Sequence, residues 1–196
     1  LIDWGFALNI NELNIETIRN NLISEVMMFN VPFGNILFND DTLYKIDKLI
    51  QINIDSENTH TSRKIANQKY INDKLFIPYR EKSKHWSIIN KYISYVYEDI
   101  PSNIIWNNYI LSIINNFTVY KNNSVFFDYE KYFNTVYKKN VDIYGVLLTY
   151  LDLLLIEKLN IEEEMNVIDF AEKYIFGTEY AIKPYDINIL TKDMSK

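Results

Sequence analysis

The sequence predicts a mainly α-helical globular domain, and three observations support this prediction. The chain has 196 residues, of which 48% are hydrophobic and 23% are charged, a composition typical of a folded domain with one core. Apolar residues recur at steps of three and four, the period of a helix face. One such face comprises Trp86, Ile89, Ile93 and Val96. The stretch 141–156 is almost continuously apolar, which predicts a buried central helix.

The first part of the chain is predicted to pass from a strand into helices. Leu1 and Ile2 indicate the end of a buried strand that turns at Gly5. A helical or irregular stretch over 15–29 ends before Pro32, because proline interrupts regular structure. The next helix is predicted from two signals. Its N-cap candidates are Asp40, Asp41 and Thr42. Its apolar face comprises Leu43, Ile46, Leu49 and Ile50.

The second half is predicted to consist of helices joined by short turns. Pro101 favours a helix start, because proline fits the first helical turn. The segment 122–124 is predicted to be a loop, and Gly177 suits the C-terminal end of a helix. Further helices are predicted from about 128, from about 141, over 161–176 with Asn160 as a cap candidate, and after Pro184.

Composition excludes several classes of function. Cysteine is absent, which excludes disulfides, thiolate metal sites and cysteine nucleophiles. His60 and His85 are the only histidines, so a histidine-rich metal centre is excluded as well. With 20 basic and 26 acidic residues the formal net charge is −6, which argues against a general nucleic-acid binder. The locally basic segment 63–91 is interpreted as a solvated helical face.

Location and origin are predicted from apolar run length and residue usage. The longest apolar stretch, 146–156, contains Asp152 and is shorter than the roughly 20 residues of a membrane span. No segment has the pattern of a secretory leader. We therefore expect no membrane partner and an intracellular, cytoplasmic protein.

Ile, Asn, Lys and Tyr supply 88 of the 196 residues, and their A/T-rich codons indicate an A/T-rich genome.

The apolar helix predicted over 141–156 carries one polar stripe. Its members, Asp142, Gly145, Thr149 and Asp152, follow one another at steps of three, four and three. Burying a carboxylate is unfavourable unless it accepts hydrogen bonds, so two interpretations of Asp142 stay open. It caps the helix, or it is buried and holds the backbone of a functional loop.

The first residues, Leu1-Ile2-Asp3-Trp4-Gly5-Phe6-Ala7, resemble the metal-binding Asp-Phe-Gly segment of the protein-kinase superfamily, in which tryptophan is a known middle residue. The resemblance implies that Asp3 binds the Mg²⁺ that bridges the ATP phosphates and that Gly5 permits the turn into the activation segment. The run from Asp142 to Leu148 resembles the start of the buried central helix of the kinase C-terminal lobe. The resemblance implies that Asp142 anchors the catalytic loop.

Two further stretches, 29–39 and 84–91, resemble kinase-like proteins of giant DNA viruses, which agrees with the A/T-rich usage. The first lies where kinases carry the substrate-docking loop. The resemblance therefore assigns docking of a protein substrate to Val31, Pro32, Phe33 and Gly34. A viral protein of this kind would act in the host-cell cytoplasm or in the virion.

The resemblance implies a kinase C-terminal-lobe-like domain that starts at the Asp-Trp-Gly strand and turn. Its parts would be 1–40, with the metal-binding, activation and docking segments, 41–140, a long helical insertion, and 141–196, the central and C-terminal helices. The implied activity is ATP- and Mg²⁺-dependent phosphorylation of protein serine or threonine. The 196 residues contain no glycine-rich phosphate loop, no strand lysine, no His-Arg-Asp loop and no Ala-Pro-Glu. The chain is therefore expected to be a fragment that is inactive without its N-terminal lobe, with no catalytic base assigned.

Two other interpretations stay open. The string Ile-Asp-Trp-x-x-Ala, at residues 2–7, also resembles phosphotransferases of the aminoglycoside and choline kinase type, but the second Asp that usually follows is absent from 8–21. A pseudokinase or a plain helical interaction module is the other alternative. In that case Asp3 would be a turn residue and the basic segment a docking surface.

Overall fold

The computed structural model describes residues 32–55, 67–82, 86–121, 124–156 and 159–195 of the chain. Of these residues 80% are helical, which confirms the mainly α prediction. A single two-stranded sheet accompanies the helices in this part of the chain. The strand and turn predicted at the first residues lie outside the described ranges.

The elements of the described chain follow one another in this order. A 3-10 helix spans Phe33–Phe38. Helix α1 spans Asp40–Asp55, α2 spans 67–82, α3 spans Trp86–Val96 and α4 spans Ser102–Phe117. Strands β1 and β2 span Thr118–Lys121 and Ser124–Phe127. Helix α5 spans 129–156, α6 spans Ile161–Tyr174, α7 spans Glu179–Ile182 and α8 spans Ile187–Met194.

Two of these helices contain a π-helical turn, in which one extra residue is accommodated. In α2 the turn is Asn72–Phe76, followed by the α-helical part Ile77–Lys82. In α5 the turn is Phe133–Tyr137, between Tyr129–Tyr132 and Lys138–Ile156. The predicted segment boundary at 140/141 falls inside α5, so the two segments that it divides are continuous in structure.

Helix α1 begins after Asn39, one residue earlier than the predicted caps. Asn39 Oδ1 accepts hydrogen bonds from the backbone N–H groups of Asp41 and Thr42, at 3.0 and 3.3 Å. Thr42, a predicted cap, is instead buried, and its hydroxyl oxygen lies 2.9 Å from that of Tyr79. This contact joins α1 to α2.

The sequence analysis missed a pair of β-strands beside the predicted loop 122–124, of which Ser124 begins β2 and 122–123 lie outside the described ranges. Strands β1 and β2 are antiparallel, with Lys121 opposite Ser124 and Thr118 opposite Phe127. The hairpin packs on α1 through β2, where the Asp47 carboxylate accepts a hydrogen bond from the Phe127 backbone N–H. Burial raises the pKa of Asp47, and this bond partly opposes the rise. Only Phe127 of the hairpin is fully buried. The alternation of buried and exposed residues from which a strand is predicted is therefore weak in this segment.

Helix α4 is buried over most of its circumference, except for a stripe that includes the exposed residues Ile104 and Asn115. Its buried residues are Ile105, Trp106, Asn107, Tyr109, Ile110, Leu111, Ile113, Ile114 and Phe117. Helix α5, whose part 141–156 was predicted to be buried nearly all round, also has an open face, because Val146 is 58% exposed and Thr149 is also exposed. The buried residues of all described helices form one core cluster.

Several end signals in the sequence are confirmed. Helix α4 begins directly after Pro101, and Asn160 caps α6 in a reciprocal pair with Glu163. Gly177 follows the end of α6, where an added Cβ would lie 2.6 Å from the carbonyl oxygen of Glu172. A glycine is therefore required at that close approach. No helix in the described ranges is long and apolar enough to cross a membrane.

Candidate functional site

The residues with the most specific predicted chemistry, Asp3 and Gly5, lie outside the described ranges. The roles of Asp3 as a Mg²⁺ ligand and of Gly5 as a turn residue therefore stay predictions. Val31 and the two histidines also lie outside. Among the described residues, no three histidine or acidic side chains come together as a metal-binding group.

The predicted substrate-docking residues Pro32, Phe33 and Gly34 are buried in the core. Phe33 is 2% exposed, and its ring meets Tyr109 edge-on at 5.2 Å and Phe176 nearly face to face at 6.1 Å. A protein substrate cannot contact side chains that are already covered. The docking role of these three residues stays a prediction that their burial does not support, and the segment packs as a wedge between helices.

Gly34 is needed for that wedge because Tyr132 crosses directly over it. A Cβ placed on Gly34 would lie 2.0 Å from the Tyr132 hydroxyl oxygen and 2.9 Å from its Cζ atom. It would also lie 3.0 Å from Ile113 Cδ1. The glycine thus serves close packing of the segment against α4 and α5, a structural role that the resemblance did not indicate.

Asp142 does not occupy the position that either interpretation of it requires. Helix α5 starts at Tyr129, so Asp142 lies well inside the helix and is not its N-cap. Its side chain is exposed, so the predicted burial is wrong as well. The predicted anchoring of a catalytic loop by Asp142 stays a prediction, and this exposed position does not support it.

Asn140, two residues earlier, is the side chain of α5 that holds a loop. It is 2% exposed, and its Nδ2 group donates to the carbonyl oxygens of Tyr180 and Lys183, at 2.9 and 3.0 Å. Its Oδ1 atom accepts from the backbone N–H of Tyr185 at 3.0 Å. Both N–H groups of the amide and its oxygen thus make hydrogen bonds, which fix the turn around Pro184. Sequence reasoning missed Asn140 because asparagine is abundant in this chain and carries little information at any one position.

Three tyrosines stack behind this turn. The Tyr180 ring lies 4.7 Å from that of Tyr185 and 5.1 Å from that of Tyr174, with interplanar angles of 20° and 22°. The Tyr185 hydroxyl donates to the Tyr174 carbonyl oxygen at 2.6 Å. The Tyr174 hydroxyl in turn donates to Asp193 at 2.7 Å, and burial first of all raises the pKa of Tyr174 to about 12. The stack joins α6, α7 and α8 into one unit.

The centre of the molecule contains a group of buried tyrosine side chains. Burial raises the pKa of each of their hydroxyls, and for Tyr132 the neighbouring tyrosines oppose ionisation further. These hydroxyls therefore stay protonated at physiological pH, and their side chains belong to the packed core. The members are Tyr109, Tyr132, Tyr137, Tyr144 and Tyr185.

A few buried polar atoms in the described chain make no hydrogen bond. They are Trp106 Nε1, Asn107 Oδ1 and the Tyr144 hydroxyl. The other polar atom of the Asn107 amide, Nδ2, donates to the Gln68 carbonyl oxygen at 3.3 Å, so that amide faces α2. A buried polar atom without a hydrogen bond lowers the free energy of unfolding by about 1–3 kcal/mol. An internal water that binds such an atom would remove this cost.

Comparison with known proteins adds no assignment. No protein-family model, no curated protein and no solved structure matches this chain.

Proposed function

We propose that this chain is the metal-binding and helical part of an ATP- and Mg²⁺-dependent protein serine/threonine kinase of viral origin. The observation that carries the proposal is the sequence Leu1 to Ala7, in which apolar residues precede Asp3 and a glycine follows two positions later. The mainly α fold supports the proposal, because a kinase C-terminal lobe is helical. An N-terminal kinase lobe and a protein substrate are the partners that it implies, in the host-cell cytoplasm or the virion.

In the proposed reaction the γ-phosphoryl group leaves the ATP β-phosphate and bonds to a serine or threonine hydroxyl of the substrate. Mg²⁺, when bound, neutralises charge on the phosphate oxygens. The Asp3 carboxylate would hold that ion, because hard cations prefer oxygen ligands. Gly5 would allow the chain to turn away from the phosphates.

The test uses the coding frame extended upstream of Leu1, because the present residues supply neither a phosphate loop nor a catalytic base. We expect the extended protein to phosphorylate a Ser/Thr peptide library and Asp3→Asn to abolish transfer with an unchanged thermal melt. Asp99→Asn is the matched control, since Asp99 is exposed in the turn between α3 and α4. Full activity of Asp3→Asn would refute the proposal, and transfer to small alcohols alone would identify the aminoglycoside or choline kinase type.

The 196-residue chain alone is expected to show no transfer and only weak binding of Mg·ATP. Isothermal titration calorimetry measures this directly. Tight binding by this chain would contradict the assignment of the nucleotide pocket to another part of the protein.

A pseudokinase or helical interaction module is the second candidate, and the structure contains observations that favour it. Asp142 is exposed, and Pro32, Phe33 and Gly34 are buried, so two of the roles implied by the resemblance lack their expected geometry. An extended coding frame without a His-x-Asp loop and a strand lysine would decide for this candidate.

A further inference from the structure

The outward face of α6 exposes large apolar side chains. Ile161 is 78% exposed, the highest value among the large hydrophobic residues of the described ranges. Met165, one turn further along the same face, is 59% exposed. Two such side chains on neighbouring turns form an apolar strip at the surface, and apolar surface of this kind is typical of a contact region.

Carboxylates line the same face. Glu162, Asp169 and Glu172 are exposed. They lie three residues before, four after and seven after Met165, which are spacings that place side chains on the same face of a helix. The span from Glu162 to Glu172 is about 15 Å along the axis, or nearly three turns. Acidic groups therefore border the apolar strip on one side and continue along the face beyond Met165.

The local charge is strongly negative after the internal contacts are counted. Glu163 accepts a hydrogen bond from the Asn160 backbone N–H at 2.9 Å, and Glu164 accepts one from the Tyr95 hydroxyl. The one basic residue of α6, Lys173, forms an ion pair with Asp193 at 2.7 Å. Lys173, which follows Glu172 directly, is thus paired with a carboxylate outside the outward face.

We propose that this face, formed by Ile161, Glu162, Met165, Asp169 and Glu172, binds a basic amphipathic helix of a protein partner. Apolar side chains of the partner would cover the Ile161–Met165 strip, and its Lys or Arg residues would face the three carboxylates. Charge decides the occupant: nucleic acid and acidic peptides are repelled, and the same face of a second copy carries the same charge. The binding is independent of the proposed phosphoryl transfer.

The test measures binding of a fluorescent peptide to the 196-residue chain by anisotropy. The probe is a designed helix of about 18 residues, or five turns, with leucine on one face and lysine on the other, at about 0.15 M salt. Its analogue with glutamate in place of lysine is the peptide control. We expect the lysine peptide to bind and the glutamate peptide not to bind.

Three double variants separate a specific face from simple charge attraction. Ile161→Ser with Met165→Ser removes the strip, and Glu162→Lys with Asp169→Lys reverses the rim, and each should weaken binding by about tenfold or more. Asp73→Lys with Glu81→Lys, on the exposed side of α2, makes the same change in net charge and should leave binding unchanged. Thermal melts check that every variant folds. Absence of binding by the unmodified chain, retention by the serine variant, or equal loss in the α2 variant would each overturn the proposal.

Discussion

The segment 32–38 and the helix α6 show opposite relations between residue type and exposure. The first contains Pro32, Gly34 and Asn35, residue types usual in surface loops, yet every one of its residues is buried. The second begins with Ile161, an apolar residue that is 78% exposed. The exposure of a segment therefore depends on whether neighbouring elements cover it, and residue type alone does not determine this.

The buried segment is tolerated because its polar groups find partners inside the core. The Asn35 backbone N–H donates to the Pro32 carbonyl oxygen at 2.9 Å, and the Tyr137 hydroxyl donates to Asn35 Oδ1 at 3.4 Å. The Phe38 ring meets that of Tyr137 edge-on at 4.8 Å. A short 3-10 helix thus satisfies its own backbone and presents aromatic rings to α5.

The largest expected effect concerns the five buried tyrosines of the core, of which Tyr109, Tyr132 and Tyr137 contact this segment. Below pH about 10 the tyrosine hydroxyls are neutral in the folded and in the unfolded protein. At higher pH the hydroxyls of the unfolded chain lose their protons, whereas burial raises their pKa in the folded protein, so that they stay protonated. Stability should therefore fall above that pH by about 1.4 kcal/mol per pH unit for each tyrosine. The five together would contribute about 7 kcal/mol per unit, enough to unfold a typical domain over one to two units.

Alkaline titration checks this with two signals. Tyrosinate absorbance of the buried group should appear together with the loss of helical circular dichroism. Ionisation of all tyrosines while the helical signal persists would show that water reaches these hydroxyls in the folded protein. It would contradict the burial of the core around 32–38.

Asn140→Ala is expected to destabilise the fold by about 3 kcal/mol, because two carbonyl groups and one N–H lose their buried partner. Asp142→Ala, on the exposed side of the same helix, should change stability by less than about 0.5 kcal/mol. Urea denaturation of both variants measures the difference. Equal midpoints for the two would show that the turn around Pro184 does not depend on Asn140.

Gly34→Ala should cost about 1–3 kcal/mol, because the new methyl group overlaps the Tyr132 hydroxyl. Tyr132→Phe in the same chain should recover part of this loss, since it removes the nearest atom but leaves Cζ at 2.9 Å. Met165→Ser on the exposed face is the control and should leave the melting temperature nearly unchanged. If the two changes were simply additive, the contact between Gly34 and Tyr132 would not be the cause.

Much of the local structure could be predicted, and most of the site could not. The face of α3 that includes Ile89, Ile93 and Val96 is buried as expected, and α4 begins directly after Pro101. The family resemblance, in contrast, placed a loop anchor at Asp142 and a docking surface at 31–34, of which 32–34 are buried. Both roles depend on contacts between segments that are far apart in the chain, such as Asn140 with the turn at Tyr185.

The sequence by itself determines the features of this protein that depend only on residues close together in the chain. Helical periodicity, the capping pair of Asn160 and Glu163 and the need for a glycine after α6 depend on hydrogen bonds and contacts between near neighbours. Tertiary packing alone decides that most of α4 is covered, that 32–38 is buried and that Asp142 faces outward. These outcomes depend on which helix lies against which, and burial free energy belongs to the pair of surfaces rather than to either sequence segment.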